Sequence, residues 1–442
     1  MARADFQPVL VGTDIGTYAL AREFHEAWGM KPTVVTTQIL GPMQNSRIID
    51  IRTIAGQAPS GSAYSAITQG LIDLAPQLQA DYPGKTLLLL TNVDSNIWDF
   101  ARNKDALSPY YTCIFPDVGL LDLTADKIQF PKLVAEYGLK VPHTIHFDTH
   151  DGLEASLASL NEMDHPFPWI IKAAVSAGYE RLKWPGKAKV YTAHSHEEAE
   201  RIVTSLWEHT HDADNAGTFV VQPRVEGNDS FNLSVTAYID RNGEVTMLGS
   251  AQVLLEDHHP AALGNPSAMI TEPYPRLYEQ VSAFLKGIKW HGFANFDFKV
   301  DSRTNEVYLF EMNPRIGRNS YYNAAAGMNP MRFYVADMID HASVEPEQIQ
   351  RTIYYSILPK HLVLRYVDSR LGSKVQMLYR TGQAHDPMFY SVEWRRPSWR
   401  GLKRLGYVMI ARMNHYRKFN RYYTKQQHEQ IGLRSLNTSG LR

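Results

Sequence analysis

The chain has 442 residues, 44% of them hydrophobic, and its 45 Lys and Arg nearly balance 46 Asp and Glu for a net charge of -1. That length and apolar content support two or three packed domains without covalent staples, and the single cysteine, Cys113, excludes both an intramolecular disulfide framework and a thiolate zinc cage. No secretory h-region opens the sequence and no apolar run nears the roughly 20 residues that span a bilayer, so a cytoplasmic protein is expected.

The first elements alternate. Apolar Val9 to Val11 ends in Gly12-Thr-Asp-Ile-Gly16, and a helical stretch from Tyr18 to Trp28 follows. Thr33 to Thr37 and Ile48 to Ile51 read as strands, Ser62 to Gln79 as a helix, and Leu87 to Leu90 as a fully apolar strand, the rhythm of a parallel α/β sheet. The glycine spacing of GTDIG is not that of a dinucleotide fingerprint, so the segment reads as a β-to-α turn. A predicted helix from Thr124 to Tyr137 stops at Gly138, with Pro142 just beyond, and marks a boundary. After it come strands at 144–147, 169–173, 190–193, 219–225, 231–240, 244–256, 293–300 and 307–312, with helices at 153–161 and 195–207. Runs of strands with separate helices predict an α+β region.

The most informative stretch is FANFDFKVDSRTNEVYLFEMNPRIG, residues 293 to 317, which reads as a β-hairpin turning near Ser302 to Asn305. Side chains alternate along each arm, so Asp297 and Lys299 share one face, and Glu311, Asn313 and Arg315 share one face of the other. If the register joins those faces, Asp297, Glu311 and Asn313 make a set of hard oxygen ligands with the composition of a magnesium site. Arg315 then sits at its edge, where a fixed guanidinium holds a phosphate or an anionic intermediate. Arg315 and Lys299 are the candidate catalytic cations.

The EMNPR of residues 311 to 315 resembles the E-x-N-x-R pattern that closes the magnesium-binding strand pair of the ATP-grasp superfamily. The likeness extends backward: Lys127 matches a lysine at the start of a helix before the nucleotide domain, and Lys172 one on the strand before a mobile phosphate loop. FVVQPRVEGND, residues 219 to 229, is similar to the hinge that reads adenine by backbone groups, here Gln222, Pro223, Arg224 and Val225, and ribose by an acid, here Asp229. The phosphate loop departs from the family's glycine-rich run: it is Val175-Ser-Ala-Gly-Tyr-Glu-Arg-Leu, leaving Ser176 and the amides near Gly178 as donors.

The resemblance implies an N-terminal α/β pre-ATP-grasp domain over 1–122, an ATP-grasp nucleotide-binding and catalytic domain over 123–344, and a C-terminal extension over 345–442. It also implies ATP and Mg2+, a pair of ions for which Mn2+ substitutes, and no nucleic acid. Within the superfamily, SAGYERLKWPGKAKVY, LLEDHHPAALGN and NPRIGRNSYY look like the D-aspartate ligase group, which extends the peptidoglycan stem peptide. On that likeness His259, Asn265, Arg318, Asn319 and Ser320 are expected to touch substrate. The implied reaction joins an amino-acid carboxylate to an amine acceptor, a peptidoglycan precursor, through an acyl phosphate. A ligase making a dipeptide or other small amide and an ATP-grasp phosphotransferase are the competing readings.

From Glu345 onward 18 Lys and Arg face 6 Asp and Glu. Ser398 to Lys425 reads as a helix whose apolar stripe is Leu402, Leu405, Met409, Met413, Tyr416 and Phe419, with Arg400, Lys403, Arg404, Arg412, Arg417, Lys418 and Arg421 between. Such a helix suits anionic lipid at the inner membrane face, the pyrophosphate of a cell-wall precursor, or the chain's own acidic body.

Overall fold

The computed structural model describes residues 3, 5–174, 176–214, 216–259, 262–395, 398–423, 436 and 441. The chain divides into two compact units: Met1–Leu123 with Gly227–Val300 and Glu311–Arg442, and Thr124–Glu226 with Asp301–Phe310.

In the first unit, the opening residues build a four-stranded parallel sheet in the order Asp50–Thr53, Thr33–Thr36, Phe6–Val11, Thr86–Thr91. The inner strand FQPVLV is buried throughout, as a parallel sheet covered on both faces requires, and each fully buried Val or Leu contributes about 1.5–3 kcal/mol. The first helix spans Ile15–Trp28, starting three residues before the predicted Tyr18 because the Asp14 side chain accepts from Thr17 N at its N-cap. The segment GTDIG is thus a structural turn. A side chain at Gly16 would collide with Asn92 and the Arg318 backbone.

A second, mostly antiparallel sheet in this unit runs Val307–Asn313, Gly292–Val300, Asn232–Ile239, Val245–Asp257, Asn265–Thr271, Tyr354–Ser356, Ala384–His385, with Glu347–Gln348 pairing Val245–Asp257. The described residues after 345 are joined to the unit: Tyr354–Ser356 is an inner strand of this sheet, and the tail helix Trp399–Tyr422 docks Arg404 against Glu393 and Pro42.

The second unit is an antiparallel sheet in the order Ile145–Asp148, Thr218–Pro223, Trp169–Ala173, Val190–Ala193. Its core gathers Phe147, Trp169, Ile171, Tyr179, Val203, Leu206, Phe219 and Val221, with the helix His196–Thr210 capped by Ser195. The helix predicted over Thr124 to Tyr137 is two, Val118–Ala125 and Gln129–Ala135, because the Asp126 side chain accepts from Ile128 N and Gln129 N and opens a new turn.

Candidate functional site

Period-two alternation along Gly292–Val300 puts Asn295, Asp297 and Lys299 on one face, and the facing strand brings Asn313 to them. Asn313 Nδ2 donates to Asp297 Oδ2 at 3.0 Å, Asn295 Nδ2 to Asp297 Oδ1 at 3.3 Å, and Arg315 Nη2 to Asn313 Oδ1 at 3.3 Å. Burial, with Glu311 and Glu256 nearby, pushes the Asp297 carboxyl up to about 7 against the pull of Arg315. Carboxylates crowded this way with an amide oxygen fit a hard dication, whose charge would offset the cost of ionising Asp297. The fold thus joins Asp297, Asn313 and Arg315 in one hydrogen-bonded chain.

Asn295 escaped the sequence reading. Its Oδ1 accepts from Thr236 and Ser234 on the neighbouring strand, while its amide orients Asp297. The period-two spacing from Asp297 was the signal that could have found it. Gly317 is required beside it, since a Cβ there would lie 2.7 Å from Asn295 Oδ1.

Arg315 pairs with Asp94, at 3.2 Å, and Arg318 with Asp14, also at 3.2 Å. Asn92 Nδ2 donates to Asp14 Oδ1 at 3.0 Å. Asp14, Asn92 and Asp94 follow the carboxyl ends of the parallel strands Phe6–Val11 and Thr86–Thr91, the edge at which open α/β sheets bind ligands. These three residues were missed as well.

Lys299 acts on the neighbouring carboxyls: its charge opposes the rise of Glu256, which burial and Asp229 lift to about 7. Asp229 is largely withdrawn from solvent, its side chain 13% exposed. Its oxygens accept from His258 Nε2 at 3.0 and 3.1 Å, from Tyr423 OH at 2.7 Å and from Glu256 N at 2.9 Å. Those bonds outweigh burial and hold its carboxyl below the usual range, while His258 is raised by the same pair. As placed, the ribose acid anticipated from sequence is a structural node tying the tail to strand Val245–Asp257.

The remaining expected substrate residues divide. His259 packs edge-on to Tyr422, 5.0 Å between centroids, and its N–H caps Asp257. Asn265 closes its own turn by donating to Ala262 O. Asn319 and Ser320 are buried at 7% and 0% exposure and enter the turn before the helix Tyr321–Ala325, beside half-exposed Arg318.

In the second unit, Lys172 lies on the half-buried face of strand Trp169–Ala173, opposite the core face of Trp169, Ile171 and Ala173. Lys127 Nζ donates to Ala173 O at 2.9 Å, at the end of the strand that carries Lys172. The following segment is not an open loop but a short helix, Ser176–Arg181, pinned by Tyr179, whose OH donates to Ala188 O at 2.8 Å. Gly178 lies within that helix, and the Ser176 side chain falls outside the described residues. Gln222 pairs across from Ile170 and its amide donates to Thr144. Pro223 ends the strand opposite Trp169, Arg224 turns its guanidinium to Glu226 at 2.7 Å, and Val225 is buried.

Residues 126–331 match the family described as carbamoyl-phosphate synthase L chain, ATP binding domain. The chain is 27% identical to the D-aspartate ligase of Enterococcus faecium over 93% of its own length and 97% of that protein. Its fold is that of the biotin carboxylase domain of Hydrogenobacter thermophilus 2-oxoglutarate carboxylase, solved with MgADP, at a TM-score of 0.56, 15% identity and coverage of 80% of this chain and 74% of that one. The ADP complex of N5-carboxyaminoimidazole synthetase from Staphylococcus aureus shares it at a TM-score of 0.53, 15% identity and coverage of 80% and 83%. With an ATP-binding domain matched over residues 126–331, the hairpin residues described above and a relative among the ligases that aligns nearly end to end, the chain is similar to the ATP-grasp carboxylate-amine ligases, and these likenesses support an ATP-dependent ligase.

Proposed function

We propose that this enzyme joins D-aspartate, or a closely similar amino acid, through its carboxylate to an amine on a peptidoglycan precursor, working at the inner face of the membrane. The observation that carries this reading is the likeness to D-aspartate ligase along nearly the whole of both chains. In the proposed sequence a carboxylate oxygen attacks the γ-phosphorus of ATP and ADP leaves; the amine then attacks the acyl carbon and phosphate departs with that oxygen. Asp297, Glu311 and Asn313 are assigned to magnesium, a pair of ions for which Mn2+ substitutes, which would neutralise phosphate charge. Lys127, Lys172, Ser176 and the amides near Gly178 are assigned to the triphosphate, the backbone of Gln222 to Val225 to adenine, and Arg315 with Lys299 to the charge that develops on transfer. Arg318, Asp14 and Asp94 are assigned to the amino acid. Incubation with ATP, magnesium and a panel of amino acids, with and without cell-wall precursors, tests the proposal by phosphate release and product mass. Amide formation with D-aspartate only in the presence of precursor supports it; turnover without precursor, or a product that keeps the phosphate, overturns it.

A further inference from the structure

The tail helix Trp399–Tyr422 has two faces with different fates. Toward the body it buries Arg404, Val408 and Phe419. Arg404 is fully buried, lying 3.9 Å from the equally buried Glu393, over the Tyr18 ring at 4.3 Å and donating to Pro42 O at 2.5 Å. Arg412 pairs with Asp386 at 3.6 Å and Lys418 with Asp257 at 3.3 Å. Three of the helix's cations therefore lie beside the chain's own acids.

The opposite face is covered by nothing in the chain's described residues. Trp399, Leu402, Met409, Ile410 and Met413 are 71%, 61%, 50%, 60% and 65% exposed, and at 100° per residue they fall in one stripe. The loop whose Gly41 abuts Tyr407 adds Ile39 and Leu40, at 40% and 41%. Exposed Lys403, Arg417 and Arg421 stand on or beside that stripe, and the helix WRGLKRLGYVMIARMNHYRKFNRY contains no acidic residue. Among the described residues, Lys403, Arg417 and Arg421 have no carboxylate partner.

We infer that this face docks on an anionic lipid bilayer, with the apolar stripe entering the acyl boundary and the cations meeting lipid phosphates. Charge selects this occupant. A second copy of the chain would set the same cations against themselves across an isologous interface, whereas an anionic surface complements both features, and an amphipathic ring such as Trp399 suits the boundary between apolar and wet surroundings. The inference rests on the proposed placement of the enzyme at a membrane face, and it names the residues that hold it there.

The test uses the full-length protein and sedimentation with vesicles of phosphatidylcholine alone or with about a third phosphatidylglycerol. Wild type should pellet with the anionic vesicles only, and less so as salt is raised. A variant carrying Leu402→Gln, Ile410→Gln and Met413→Gln, and another carrying Lys403→Gln, Arg417→Gln and Arg421→Gln, should each lose at least about tenfold in partitioning. Both should keep wild-type circular dichroism and wild-type ATP turnover with soluble substrates, a readout that tests the ligase reading without lipid. Wild type left in the supernatant, or both variants pelleting like wild type, overturns the inference. A dimer in sedimentation velocity that the apolar variant abolishes, without vesicle binding, overturns it in favour of an interface between copies.

Discussion

Asp297 sits where burial and Glu311 both oppose its ionisation, yet Asn313 and Asn295 each aim an amide at its oxygens. A group held in that balance is poised for a cation, and removing a neighbouring ligand should be costly. Glu311→Gln should lower turnover by at least about a hundredfold while the thermal unfolding midpoint stays within a few degrees, because Glu311 is exposed; wild-type ADP release would reject the metal assignment. Lys172 and Arg315 should separate kinetically. Lys172→Ala should raise KM for ATP, whereas Arg315→Ala should chiefly lower kcat, the signature of an interaction that strengthens as charge develops. At this scale the sequence was informative wherever local alternation decides the face, as for Asp297, Lys299 and Asn313. It was silent on Asp14, Asn92 and Asp94, whose relevance depends on Arg315 and Arg318 more than 200 residues away.

The tail helix shows how periodicity identifies an element without orienting it. Its predicted bounds, Ser398 to Lys425, lie close to the observed Trp399–Tyr422, but the six-residue apolar stripe read from periodicity is split: Leu402, Met409 and Met413 face outward, and Phe419 inward. The orientation was illegible because the inward face is built around Arg404, and a buried arginine is favourable only with Glu393, Tyr18 and the carbonyls of residues 41–44 around it. Likewise the inner strand Tyr354–Ser356 is three residues long, too short for alternation to register. His415 offers a test of this docking. Burial, with Lys418, Arg318 and Arg412 outweighing Asp257, lowers it from 6.5 to about 4, and its Nδ1 has no hydrogen-bond partner among the described residues. The unfolded chain takes up a proton below 6.5 that the folded chain refuses until about 4, so stability is full above 6.5 and falls as pH drops through that window. His415→Gln should flatten that part of the stability curve, measured by denaturant melts from neutral to acid pH. At the other end of the helix, Tyr423→Phe removes the bond to Asp229 and should cost about 1–3 kcal/mol, read as a lower unfolding midpoint.

Across the whole molecule, the chemistry assigned to each unit is complementary in kind. The first holds acidic and amide ligands on the hairpin strands, with guanidiniums pairing to Asp14 and Asp94; the second holds Lys127 and Lys172 at one strand end. Cys113, the only cysteine, is raised by burial to about 12 and stays a thiol, so it is no candidate for covalent catalysis. The proposed reaction runs instead through phosphoryl chemistry on the substrate carboxylate itself. The path of a carboxylate oxygen decides this most directly. With the amino-acid substrate labelled with oxygen-18 in its carboxylate, ATP, magnesium and the amine acceptor, the account predicts that inorganic phosphate leaves carrying a label from the carboxylate, alongside ADP and amide; unlabelled phosphate, or release of AMP and pyrophosphate, would contradict it.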